Sequence, residues 1–84
     1  MKFTYITNGV CSRSIDIEIE DNKLISAVFY GGCNGNLKGI SKLAEGMDID
    51  DIINKLDGIR CGFKPTSCPD QLSKALKEYK EKTR

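Results

Sequence analysis

Ile15-Asp16-Ile17-Glu18-Ile19-Glu20-Asp21-Asn22-Lys23-Leu24-Ile25-Ser26-Ala27-Val28-Phe29-Tyr30 is the stretch whose reading decides the fold. Three isoleucines alternate with three acids, so an extended chain sends the isoleucines to one buried face and the acids to a wet one. Asp21-Asn22 breaks the alternation with two residues suited to a tight turn, and residues 23–30 return as the second arm of a hairpin. That arm is richer in apolar residues, which places it nearer the centre of the sheet. Toward the N-terminus, residues 3–7 read as a third strand. Three strands with one apolar face cannot bury that face against themselves and need helices as cover.

The helices follow in the second half. Asn34 or Asn36 caps a helix whose Leu37, Ile40, Leu43 and Ala44 fall on one side and which Gly46 ends. Asp48 caps the next, with Ile49, Ile52, Ile53 and Leu56 at helical spacing until Gly58, and Asp50 and Asp51 suit its first turn. The last helix opens at Ser67-Cys68-Pro69-Asp70-Gln71 and buries Leu72, Ala75, Leu76 and Tyr79. The order is α+β: a three-stranded antiparallel sheet covered on one face by three helices. No linker or repeat interrupts it, so residues 1–84 read as one domain.

At 84 residues the core is thin, a size at which metals, disulfides or oligomerisation supplement stability. The N-terminal stretch has no long apolar run, so the sequence reads as cytoplasmic, without signal peptide or membrane span. Net charge is +1 but unevenly spread. Residues 1–57 carry six Lys/Arg against nine Asp/Glu, whereas residues 58–84 carry seven against three. The basic end is a helix face with Lys74, Lys77, Lys80 and Lys82, which reads first as a solvated, dipole-matched helix end and second as a contact for an acidic protein or nucleic acid. No aromatic residues interleave with it as a single-strand platform requires.

There are four cysteines and no histidine. Cys11, Cys33, Cys61 and Cys68 all sit among turn or cap residues rather than on an apolar face, where a core-filling thiol belongs. Cys11 and Cys33 bracket the hairpin about equally far from its turn, which brings them to one end of two antiparallel strands. Cys33 and Cys68 stand at helix starts, where unpaired N–H groups favour an anionic sulfur. In a reducing compartment four such thiols suit a tetrahedral sulfur site, with Zn²⁺ or an iron–sulfur centre as occupant. The intervals of 22, 28 and 7 residues are not those of a zinc ribbon, so position rather than spacing carries the inference. Gly31-Gly32-Cys33-Asn34-Gly35-Asn36 is a strand-to-helix turn in which Gly32, Asn34 and Gly35 offer backbone amides to one spot. Without histidine no Ser/His/Asp or Cys/His catalytic arrangement is possible, and a lone cysteine nucleophile needs Lys64, Arg13 or a carboxylate as partner.

Thr66-Ser67-Cys68-Pro69-Asp70, with Gly31-Gly32-Cys33-Asn34-Gly35-Asn36, Gly58-Ile59-Arg60-Cys61-Gly62 and Gln71-Leu72, resembles the TSCPD family over essentially the whole chain. That family occurs as small stand-alone bacterial proteins and as a C-terminal extension of ribonucleotide reductases, notably the vitamin-B12-dependent ones. The resemblance implies an accessory role beside such an enzyme, as metal-binding tail, thiol relay, or contact for nucleic acid or nucleotide. Stand-alone members tend to inherit a ribonucleoside-diphosphate reductase label. One small domain has no room for the barrel, radical source and reducing thiol pair of the catalytic subunit.

A more distant similarity is to the IscU-type iron–sulfur scaffold. Cys11, Cys33 and Cys68 match that scaffold's three cysteine positions, with Tyr79-Lys80 closing the final helix. Two positions depart from it: Arg13 stands where an acid is expected and Ser67 where a histidine is expected. Cys61 offers a fourth sulfur instead, and a full cysteine set implies a structural or storage site with no open position.

Overall fold

The computed structural model describes residues 1–32, 34–60 and 62–82. Three strands, β1 (Lys2–Ile6), β2 (Ser12–Glu20) and β3 (Lys23–Gly31), precede three helices, α1 (Asn34–Ala44), α2 (Ile49–Leu56) and α3 (Cys68–Lys82). The sheet is antiparallel throughout, in the order β1-β2-β3. This is the α+β architecture that the alternation predicts.

The hairpin register pairs Ile15 with Phe29, Ile17 with Ala27 and Ile19 with Leu24, with an irregularity beside Glu18/Ile19. The turn residues Asp21 and Asn22 both have positive φ, +51° and +63°. Two successive left-handed residues match the twist of the flanking strands, and Asp and Asn are among the few side chains that tolerate them. The turn is pinned to the second helix: Ile49 N–H donates to Asn22 O at 3.0 Å, and Asn22 Nδ2 donates to the Asp48 carboxylate at 3.1 Å. Asp48 is itself the α2 cap, accepting from Asp50 N–H at 2.9 Å.

The core is the isoleucine row of β2, with Leu24 and Ala27 of β3, packed on Ala44, Ile49, Ile52, Leu72, Ala75 and Leu76 from the helices. Phe3 and Tyr79 close one flank as parallel rings 5.9 Å apart. Truncating a fully buried anchor such as Leu72 to Ala removes about 2–5 kcal/mol in a core of this kind.

Two expectations are corrected. The apolar arm β3 lies at a sheet edge and β2 at the centre. The loops of residues 7–11 and 21–22 are too short for a crossover, so consecutive strands must be neighbours. The extra apolar residues of β3, Ile25, Val28 and Tyr30, are exposed instead. Leu43 is 80% exposed, not part of the α1 core stripe. At about 100° per residue it lies roughly 120° around the helix from Leu37, outside the stripe that Leu37 and Ala44 define.

The basic face of α3 is folded back onto the chain's own acids. Lys74 meets Asp70 at 2.7 Å, Lys77 meets Asp57 at 2.7 Å, and Lys80 pairs with Asp50. Two of these pairs join the acidic first part of the sequence to the basic last part. The face therefore differs from an uncompensated row of lysines.

Candidate metal centre

Cys11 and Cys68, 57 residues apart in sequence, meet with their sulfurs at 3.8 Å. Cys11 is exposed, in the loop one residue before β2, and Cys68 is buried as the first residue of α3. Ser12 Oγ lies 3.1 Å from Cys68 Sγ, so its hydroxyl can donate to a thiolate there. Cys33 and Cys61 lie outside the described residues. The described residues before Cys33 lie beside Cys11: Ser12 pairs with Gly31 across the sheet, and a Cβ on Gly32 would stand 3.0 Å from Cys11 Sγ. Gly32 also has φ +80°. It is glycine for two reasons, the left-handed backbone and the sulfur against it.

Of the amide donors read from the sequence, Gly32 thus abuts the Cys11 sulfur, while Asn34 and Gly35 form the first turn of α1. Among the described residues, no three cysteine, aspartate or glutamate side chains gather as an ion-binding group. A cleft of about 380 Å³ opens beside the two sulfurs, walled by Leu37, Ile40 and Pro69 and including Lys64.

The motif around Cys68 works as a clasp. Ser67 caps α3, accepting from Asp70 N–H at 3.2 Å while its hydroxyl donates to Ile59 O at 2.7 Å. Cys68 and Pro69 follow in the first helical turn, where the proline's missing N–H leaves no intrahelical bond unmade. Asp70, 1% exposed, accepts from Thr66 Oγ1 at 2.5 Å, Gly58 N–H at 2.7 Å and Lys74 Nζ at 2.7 Å. Burial would raise its pKa, but the bonds from Lys74, Thr66 and Gly58 overcome that and lower it from 3.8 to about 2. Gln71 completes the web, donating to Thr66 Oγ1 at 3.0 Å and accepting from Asn8 N–H at 3.1 Å.

Apart from Lys74, the anchors of this web lie close in sequence to a cysteine. Asn8 is three residues before Cys11, Gly58 and Ile59 are two to three before Cys61, and Ser67 precedes Cys68. The hydrogen bonds thus fasten Asn8, Gly58 and Ile59 to the start of α3. Sequence reading had identified the four sulfurs but not Ser12, nor the supporting Thr66, Asp70, Gln71 and Asn8. Their signal was the motif itself, since a Thr, a Ser and an Asp around one Cys are side chains that bond to nearby backbone.

Fold and site together define a small α+β domain in which Cys11, before the second strand, meets Cys68 at the start of the last helix. The family model for the TSCPD domain matches residues 1–80, so the chain belongs to the TSCPD family. No curated protein and no solved structure matches it. Among the described residues no helix is long and apolar enough to cross a membrane.

Proposed function

We propose that this TSCPD domain binds one metal ion, Zn²⁺, through Cys11, Cys33, Cys61 and Cys68, and that it serves as an accessory module of ribonucleotide reduction. The observation that carries the reading is the 3.8 Å separation of the Cys11 and Cys68 sulfurs. Two thiolates bonded at about 2.3 Å to one tetrahedral ion are about 3.8 Å apart, so the pair already has the spacing of two ligands. Donor chemistry agrees: soft sulfurs with no histidine suit zinc or an iron–sulfur centre. Ser12 Oγ and the backbone at Gly32 supply the surroundings that orient and stabilise such sulfurs. A closed four-sulfur shell makes the metal structural: it would fasten the β1–β2 loop, the β3–α1 turn, the α2–α3 connection and the start of α3 to one point. The tie to ribonucleotide reduction rests on the family's occurrence as an extension of such enzymes.

The test is elemental analysis of protein purified without oxygen. The expected result is stoichiometric zinc, lost in Cys68→Ser and in Cys11→Ser. Wild-type protein that takes up no metal under saturating zinc, or a Cys68→Ser chain that holds it as tightly, would overturn the reading.

A second reading, an iron–sulfur scaffold or carrier, is favoured by the exposure of Cys11 and by the cleft beside the sulfurs, which would give a cluster a route out. Colour separates the two, because zinc protein is colourless and a cluster absorbs visible light.

A further inference from the structure

We infer that Cys11 and Cys68 are a reversible dithiol–disulfide couple, in which Cys11 reacts first with a low-molecular-weight disulfide and Cys68 resolves the adduct. Oxidation then withdraws two sulfurs from the metal centre. This last clause rests on the proposed metal site; the couple itself does not.

The geometry carries it. The sulfurs are 3.8 Å apart, and closing them to a bond of about 2.05 Å takes a shift of only about 1.8 Å. Cys11 lies outside regular structure, one residue before β2, so the shift falls on a loop side chain rather than on a packed helix. The two thiols differ in access. Cys11 is exposed, whereas Cys68 is 7% exposed and walled by Ser12, so a disulfide from solvent reaches Cys11 first. Cys68 is then placed for the second attack, its sulfur 3.1 Å from the Ser12 hydroxyl, which can donate to the thiolate when it forms.

The steps balance. The Cys11 thiolate attacks one sulfur of the external disulfide; a mixed disulfide forms, the external S–S bond breaks, and one small thiolate leaves. The Cys68 thiolate attacks the Cys11 sulfur, the Cys11–Cys68 bond forms, and the second small thiolate leaves. The protein gives up two electrons and two protons, which end on two molecules of small thiol. Excess small thiol drives the same steps backward.

The experiment equilibrates the metal-free full chain in glutathione buffers of graded potential and maps disulfides by peptide mass. The expected product has lost two hydrogens and contains a Cys11–Cys68 crosslink that excess reduced glutathione removes. Cys68→Ser should stop at a glutathione adduct on Cys11, and Cys11→Ser should form an adduct at Cys68 about tenfold more slowly. A dominant crosslink of Cys11 to Cys33 or Cys61, or no crosslink in oxidised glutathione, would overturn the couple. The zinc-loaded chain is then oxidised in the presence of a zinc dye. Dye signal rising in step with the crosslink supports release, and a crosslinked chain that keeps its zinc overturns it. A chain that never takes up zinc fails the metal reading alone, because the crosslink is read without metal.

Discussion

At the scale of single residues, the two atoms that matter most to the cysteine end are a carboxylate and a missing methyl group. Asp70 keeps its charge down to about pH 2 in the folded protein, against 3.8 without the fold. A depressed pKa adds stability above the unfolded value that is lost as pH falls through the folded one. Wild type should therefore lose about 2 kcal/mol more than Asp70→Asn between pH 4 and pH 2, measured by urea denaturation at each pH. Equal pH dependence in the two proteins would refute the assignment. Gly32→Ala faces both a strained φ and a contact at 3.0 Å with Cys11 Sγ. It should cost about 1–2 kcal/mol and weaken zinc binding, read by thermal melting and by competition with a chelating dye.

At the scale of elements, α1 offers the contrasting glycine. Gly39 is exposed in mid-helix with nothing within 4 Å of a built Cβ. Gly39→Ala should stabilise the domain by about 0.5–1 kcal/mol and leave zinc binding unchanged. The elements themselves were largely legible. Alternating Ile15, Ile17 and Ile19 announced β2, Asp21-Asn22 its turn, and Asp48 the cap of α2, because each signal is local. What failed was what neighbours decide. Apolar richness in β3 reflects a strand whose outer face keeps Val28 and Tyr30 exposed, and only the short loops reveal that it is an edge. Leu43 passed for core because a list of apolar positions ignores the angle each occupies. Of the site, sequence showed four sulfurs placed for chemistry. It could not show that Cys11 meets Cys68 or that Asp70 is the clasp, since those contacts depend on how the last helix docks.

At the scale of the whole molecule, charge that is segregated along the sequence is recombined in space. Lys77 and Lys80 of α3 reach back to Asp57 and Asp50. These are half-exposed pairs, so Lys77→Ala and Lys80→Ala should each cost less than about 1 kcal/mol, and added salt should shrink the difference from wild type in denaturant titrations. The proposed metal would act at the same scale, because a ligand bound only by the folded state adds its binding free energy to stability. Chelation of the zinc-loaded chain should lower the melting temperature, and a melt indifferent to chelator would count against a structural ion.

The 57-residue gap between two touching sulfurs also sets an order of events in time. During synthesis from the N-terminus Cys11 emerges well before Cys68, so the partner that gives it its spacing is not yet there. Cys11 must wait, open to any oxidant, until the segment bearing Thr66 to Gln71 emerges and folds down. The pair is thus assembled only once the last helix docks, so any chemistry that needs both sulfurs reports on completed folding.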